Sequence, residues 1–187
     1  MRGTIERAAR AAAVVAASLA LAACAAGAYY YDSKDSNLIR GNYAATDTLV
    51  AGGKVSPAGG PLVVATVVDI DQLDRSSTLG RLISEHVASR LAQKGYTVAE
   101  VKLREPVYTR RPDGELTLSR EVRDASVKHG AQAVVVGTYA SDTRGTYGLV
   151  FVSLKVVHAG DNTILGASDY ALVLTQGGYG MLRTATQ

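Results

Sequence analysis

The segment from Pro61 to Arg104 constrains the fold most, because it predicts a strand, a helix and a second strand in direct succession. Leu62–Val68 is a continuous apolar and β-branched run, which is typical of a strand that is covered on both faces. Tyr96–Leu103 alternates between apolar and polar residues, as a second strand does. A helix between two such strands predicts a parallel pair joined by a right-handed crossover.

The helix in this segment has a predicted start, an apolar face and a predicted end. Ser76 or Ser77 can cap it by accepting hydrogen bonds from its free N–H groups, and Gly95 can end it. Five apolar residues recur at helical spacing and are expected to face the sheet: Leu79, Leu82, Ile83, Val87 and Leu91.

The remaining chain predicts one further helix of the domain and three further strands. The helix is expected at Ser119–His129, and the strands at Ala131–Tyr139, Tyr147–His158 and Thr163–Leu174. The fold class is therefore α+β, a single domain with a mixed five-stranded sheet in the chain order β-α-β-α-β-β-β. Analogy with other domains of this kind suggests the strand order 2-1-3-4-5.

The first 24 residues predict a lipoprotein signal. Residues 1–23 have a basic start and then an apolar run, which is shorter than the roughly 20 residues that span a bilayer. The run ends in Leu21–Cys24, which matches the lipobox of bacterial lipoproteins, so Cys24 is the expected lipidation site. The alternative is an ordinary secreted protein with an incidental cysteine. The Ala25 that follows favours the outer membrane over the inner one.

Four segments follow from these patterns. Residues 1–23 are the predicted signal peptide, and residues 24–60 are a lipidated N-terminus, a tether and a short helix expected at Asn42–Ala51. Residues 61–175 form the folded domain. Residues 176–187 are rich in glycine and are expected to be a flexible tail.

Charge gives no indication of a nucleic-acid partner. The formal net charge is +3, and the first ten residues account for +2 of it. The chain that follows the signal peptide is thus nearly neutral.

The residues predict no catalytic, metal or cofactor site. Motifs of hydrolases, zinc proteases and phosphate-binding loops do not occur, and the three histidines are far apart in the sequence. Asp69, Asp71 and Asp74 follow the first strand, where open α/β sheets place ligands, so a small enzyme that uses this cluster stays an alternative. Turn formation explains the same three residues. The helix start that follows could receive an anion, although capping accounts for its serines as well.

The segment Glu105–Asp113 is the best candidate for a surface that binds a protein partner. Tyr108, Arg110 and Arg111 lie on this proline-stiffened loop, and both residue types are enriched in interfaces. A solvated loop without a partner is the simpler alternative.

The central segment also resembles a known family. The letters VVDID, then SSTLGRLISEHVASRLAQKGY, then VAEVKLR are similar to the FlgO family of bacterial flagellar outer-membrane lipoproteins, over about Asn42–Leu174. The resemblance implies a non-catalytic protein that is held in the outer membrane by its lipid, faces the periplasm and associates with the flagellar basal body. Cys24 is the residue to which the resemblance gives a defined role. The low aromatic content and the glycine-rich tail depart from the family.

A second interpretation uses the same domain differently. A lipoprotein of this design could regulate a cell-wall synthase or an envelope transport complex from its membrane anchor. The sequence leaves the partner and the oligomeric state open.

Overall fold

The sheet is mixed and is built around the parallel unit that the sequence predicts. The structure, a computed structural model, describes residues 37–99, 108–110, 116–118, 124, 126–144, 147–158 and 160–183. The two helices of the described chain are α1 at 37–50 and α2 at Thr78–Gln93, with further helical residues at 124 and 126–128. The strands are β1 Leu62–Val64, β2 Val68–Asp69, β3 Val98–Ala99, β4 Tyr108–Arg110, β5 Leu116–Leu118, β6 Ala133–Asp142, β7 Tyr147–His158 and β8 Ile164–Thr175. Short 3-10 helices occupy Pro57–Gly59 and Gln176–Leu182.

The strand order of the main sheet is β3-β1-β6-β7-β8, and β2 pairs with β6 beside that path. Strand β1 runs parallel to both β3 and β6, whereas β6, β7 and β8 are antiparallel to one another. In terms of the five predicted strands this is the order 2-1-3-4-5. The predicted α+β class, the parallel pair and the strand order are therefore confirmed.

The first predicted strand is wrong in one respect, since Leu62–Val68 forms two short strands and the sheet has six strands instead of five. The chain leaves the ladder between β1 and β2 because its backbone bonds to α2 there. The Ser84 hydroxyl accepts a hydrogen bond from Val67 N–H (2.8 Å), and its single proton is shared between the Gly80 carbonyl (2.9 Å) and the Ala65 carbonyl (3.2 Å). The backbone of α2 also lies against this break, because a Cβ at Gly80 would overlap with the Val67 carbonyl oxygen.

Helix α2 begins at the predicted cap and ends at the predicted glycine. Ser77 Oγ accepts a hydrogen bond from Gly80 N–H (3.0 Å), which satisfies one free donor of the first turn. Gly95 has φ 86°, and Tyr96 N–H donates to the Leu91 carbonyl (3.1 Å), which closes the last turn.

The buried apolar face of α2 is narrower than the face that the sequence predicts. Residues spaced four apart are fully buried, namely Leu79, Ile83, Val87 and Leu91. Leu82 is only half-buried, so the prediction that it faces the sheet as fully as Ile83 does is wrong. A position one residue away from the buried row is rotated by 100° and lies at the edge of the contact.

Helix α1 starts earlier than the sequence predicts, and residues 176–182 form a helix that the sequence does not predict. Helix α1 includes most of the short helix that was expected at Asn42–Ala51 and starts earlier. Gln176–Leu182 is a 3-10 helix and not the expected flexible tail. It is held because Tyr179, Met181 and Leu182 pack against the core.

The core has two layers, one on each face of the sheet. The larger layer lies between the sheet and the two helices, and it includes Leu49 of α1, Leu62 of β1 and Leu154 of β7. The smaller layer lies on the opposite face of β1 and β6, with Val63 and Val134 at its centre. Both faces of β1 and of the first half of β6 are thus covered, as the continuous apolar run at the start of each strand indicates.

Much of the helix expected at Ser119–His129 lies outside the described residues. Where the chain is described, residues 124 and 126–128 are helical, and Gly130 has φ 61° at the following turn. Strand β6 continues to Asp142, three residues beyond the predicted end, because it keeps pairing with β7.

Candidate functional site

The three aspartates after the first strand form a turn. Asp69 Oδ1 accepts a hydrogen bond from Asp71 N–H (2.9 Å), which is the geometry of an Asx turn. Asp71 and Asp74 are exposed and Asp69 is half-buried. Turn formation therefore explains Asp69, and the structure supplies no contact that would make the cluster a pair of acid and base.

The start of α2, which the sequence offers as an anion site, is occupied by the chain's own side chains. Ser77 Oγ caps Gly80 and also accepts a hydrogen bond from the Tyr139 hydroxyl (2.7 Å). The Arg81 guanidinium donates to Ser76 Oγ (3.1 Å) and Thr78 Oγ1 (3.3 Å). Burial raises the pKa of Tyr139, so this hydroxyl stays a neutral donor to the cap.

The three histidines lie in three different settings. His86 Nδ1 is 2.8 Å from Asn42 Nδ2. Burial lowers the pKa of His86. His158 Nδ1 is 2.9 Å from Asp161 Oδ1 in the turn between β7 and β8, and His129 is exposed. Within the described ranges, no group of three or more His, Cys, Asp or Glu side chains could hold a metal ion.

The predicted partner segment contains a strand. Tyr108 and Arg110 lie in β4, which pairs antiparallel with β5 in the register Tyr108↔Leu118 and Arg110↔Leu116. The expected irregular loop is wrong at these positions, because the chain doubles back and pairs with itself. Arg111 and the side chains of Tyr108 and Arg110 lie outside the described part of the structure. Their role in binding stays a prediction.

Cys24 and the predicted signal peptide also lie outside the described residues. Among the helices that are described, none combines the length and the apolar character that a membrane span requires.

Helix α1 is attached to α2 by an ion pair that the sequence does not reveal. The Arg90 guanidinium donates two hydrogen bonds to the Asp47 carboxylate (2.8 and 2.6 Å), and Lys94 Nζ lies 3.1 Å from the same carboxylate. The hydrogen bond from Arg90 lowers the pKa of Asp47 to about 2. Arg90 also lies over the Tyr43 ring, 5.4 Å from its centroid.

A buried hydrogen-bond network joins α1 to both α2 and β8. Asn42 is completely buried, and its side-chain oxygen accepts a hydrogen bond from the Tyr170 hydroxyl (2.6 Å) while its amide nitrogen contacts His86. Burial raises the pKa of Tyr170. The first helix after the predicted tether is thus fixed to the domain at two independent points, the ion pair and this network.

Several exposed apolar residues of the described chain lie together on the side of the sheet opposite α1 and α2. We call this surface the outer face of β7 and β8, and it consists of Tyr147, Leu149, Phe151, Ala171 and Val173. The four large residues are between 42% and 63% exposed, and Phe151 is the only phenylalanine of the chain. Apolar patches of this kind mark protein interfaces more often than they stay in solvent.

An open groove of about 500 Å³ adjoins this face. Its floor includes Ala140, Phe151 and Ser153, Ile70 lies on one side and Asp169 on the other. The surface is therefore a shallow apolar strip with polar groups at its edge, a form that suits contact with another protein.

Sequence reasoning missed this face, although a signal for it exists. Strand β7 alternates strictly, and the row Val150, Val152, Leu154 and Val156 is buried against the helices. The opposite row starts with an aromatic, an aliphatic and an aromatic residue at 147, 149 and 151, where a solvated face would have polar residues.

Comparison with known proteins gives one family and several distant folds. The family described as "FlgO protein" matches residues 43–176. No curated protein matches the chain.

Several solved structures share a distant likeness with the chain. The LpoB C-terminal domain from Salmonella enterica is 12% identical, with a TM-score of 0.47 over 70% of this chain and 93% of that one. The PelC dodecamer from Paraburkholderia phytofirmans is 11% identical, with a TM-score of 0.43 over 65% and 76%. Lipoprotein GNA1162 from Neisseria meningitidis is 13% identical, with a TM-score of 0.40 over 63% and 85%.

Proposed function

Because the chain belongs to the FlgO family, we propose that it is a non-catalytic lipoprotein of the cell envelope that binds a protein of the flagellar basal body. The family match over residues 43–176 carries this proposal. It covers the whole βαβ unit and the antiparallel strands that follow.

The proposed anchor is Cys24. The apolar run before it is too short to span a bilayer, and the cysteine stands where lipoproteins are acylated. Each acyl chain contributes about 0.8 kcal/mol per buried CH₂, so two or three chains hold a protein stably in a membrane. Residue 25 is alanine, which favours the outer membrane, with the domain of residues 61–175 facing the periplasm.

The attachment of α1 supports a binding role for the anchored domain. The Asp47–Arg90 pair and the buried Asn42 network fix α1 to the sheet and to α2. The tether between Cys24 and α1 is then short, which limits how far the domain moves from the membrane. A folded domain that stays near the outer membrane suits attachment to a structure that crosses the envelope.

Deletion of the protein and loss of its lipid give the direct test. Labelled palmitate should enter the wild-type protein and not the Cys24→Ala variant, which should stay in the inner membrane as precursor or appear in the periplasm. The deletion strain should lose motility, and Cys24→Ala should reproduce that loss with the domain still folded. Normal motility in the deletion strain would refute the flagellar assignment and favour a role in cell-wall synthesis. Wild-type protein without label would refute the anchor.

A further inference from the structure

We propose that two copies of this protein associate through the outer face of β7 and β8, with the two sheets packed against each other around a two-fold axis. The partner at this surface is thus a second copy of the chain. The inference is independent of the flagellar assignment.

The exposed side chains give the driving force. Tyr147 is 63% exposed, Phe151 53% and Val173 58%, and all three point to the side of the sheet opposite α1 and α2. Large apolar groups in one contiguous patch favour association, because each square ångström of apolar surface removed from water contributes about 25 cal/mol.

The sizes of the paired residues indicate that the face fits itself. In the β7–β8 register, Tyr147 lies beside Thr175, Leu149 beside Val173 and Phe151 beside Ala171. The larger member of each pair is on β7 and the smaller on β8. A two-fold axis parallel to the strands places β7 of one copy over β8 of the other. Each large side chain then meets a smaller one at the usual spacing of about 10 Å between packed sheets.

The charges of the same face also complement their own rotated image. Lys155 and Asp169 are both exposed on this side of the sheet. Lys155 of β7 pairs with Ala167 of β8, and Asp169 belongs to the next pair on the same side, with Ser153. The same two-fold axis preserves height along the strands, so it places Lys155 over Ala167 and Asp169 over Ser153 of the other copy. Each Lys155 is then about 7 Å along the strand from Asp169 of the other copy, a distance that the long lysine side chain can bridge. A face that contains both signs in this arrangement suits an isologous contact, in which the same patch serves both partners.

The dimensions of the patch suit a small contact. Residues 147–155 of β7 and 167–175 of β8 carry the exposed side chains, which corresponds to a length of about 30 Å. Val157 beyond them is buried in the smaller core layer, and so are Val134 and Val136 of β6. The open end of β6, with Ala140 next to Phe151, brings the width at one end of the patch to three strands or about 14 Å. The area is thus at the low end of specific interfaces, which suits an association of moderate strength.

Cysteine crosslinking of the full-length protein in intact cells tests the association. The Ala171→Cys variant provides a reporter thiol within the face, and the unmodified chain, with Cys24 alone, gives the background. A short bis-maleimide should link the reporter variant into a product of twice the mass. Addition of Phe151→Glu should reduce that product at least tenfold. Addition of Val127→Glu should leave it unchanged, because Val127 is 74% exposed but lies outside the face.

An exchange of the two charges tests whether the protein bound at this face is a second copy of the chain. Lys155→Asp and Asp169→Lys should each weaken crosslinking several-fold, because like charges then oppose each other across the axis. Co-expression of the two single variants should restore the product as a mixed pair, and the double variant should restore it as well. Only a second copy of this chain predicts this rescue.

Three results would overturn the inference. They are a reporter product equal to the background, a product whose second component is a different protein, and an unchanged product after Phe151→Glu. Motility is not the readout, so the flagellar proposal can fail while this inference stands, and the reverse is also possible.

Discussion

At the scale of single residues, the position of a side chain on α2 decides how much it contributes to stability. Ile83 is fully buried against the sheet, whereas its neighbour Leu82 is half-buried. The two residues have similar volumes and the same apolar character, so only their direction from the helix axis separates them.

Ile83→Ala should lower the free energy of unfolding by about 2–5 kcal/mol, because it leaves a cavity in the core. Leu82→Ala should cost clearly less, since part of that side chain already contacts water. Urea titration of the two variants measures the difference. Equal losses would show that the orientation of α2 is different from the one described.

A second prediction at this scale concerns Asp47. Its ordinary pKa of 3.8 falls to about 2 in the folded protein, because Arg90 donates hydrogen bonds to the charged carboxylate. A lowered folded-state pKa stabilises the protein above the unfolded-state pKa, and that contribution is lost as the pH falls from about 4 toward 2.

The Asp47→Asn variant should therefore show a weaker loss of stability between pH 4 and pH 2 than the wild type. Thermal unfolding across that range measures the slope. The low pKa values of Asp142 and Asp161 affect both proteins equally and form the common background. Parallel pH profiles would contradict the role of the ion pair.

At the scale of elements, the docking of α1 depends on a residue with no side chain. Gly166 of β8 lies directly under α1, and a Cβ there would overlap with the Leu49 carbonyl oxygen. Only glycine allows the helix backbone to come this close to the strand. The contact joins the first helix to the far edge of the sheet, so it decides whether the N-terminal segment is part of the domain.

Gly166→Ala should release α1 while the sheet stays folded. Hydrogen exchange of the α1 amides should become faster, and that of the α2 amides should change little. Ala167→Val is the matched control, because residue 167 is exposed and points to the other side of β8. If exchange in α1 stays slow in Gly166→Ala, the close approach is not what limits docking.

At the scale of the whole molecule, the two candidate surfaces belong to different parts of the chain. The outer face of β7 and β8 lies on the antiparallel half of the main sheet, and β4 and β5 form a separate two-stranded sheet. The proposed association with a second copy and the proposed binding to the basal body therefore involve different residues. We expect that either contact can be removed without the other.

Reversal of Arg110 and Arg111 to glutamate should weaken co-purification with basal-body proteins and reduce motility. Circular dichroism of the variant checks that the fold is retained. A double variant of Lys54→Glu and Lys128→Glu changes the net charge equally at exposed sites elsewhere and should leave motility intact. A motility loss in the deletion strain, with none in the Arg110 and Arg111 variant, would keep the flagellar role and discard this surface.

The sequence by itself determined the order of the elements, because local signals specify each one. The cap at Ser77, the end at Gly95 and the buried row from Leu79 to Leu91 all act within a few residues along the chain. The parallel crossover follows from them, whereas the strand order was suggested by analogy and is established by the structure. Cys24 and the signal before it are equally local, and their role stays a prediction.

Only the tertiary structure decided the contacts between segments that are distant in the sequence. The break after β1 arises because Ser84 bonds to that backbone, and residues 176–182 form a 3-10 helix because Tyr179 packs against the core. The Asp47–Arg90 pair joins residues 43 positions apart. The outer face of β7 and β8 becomes an apolar surface only when the two strands lie side by side, because the register brings Val173 and Ala171 next to Leu149 and Phe151.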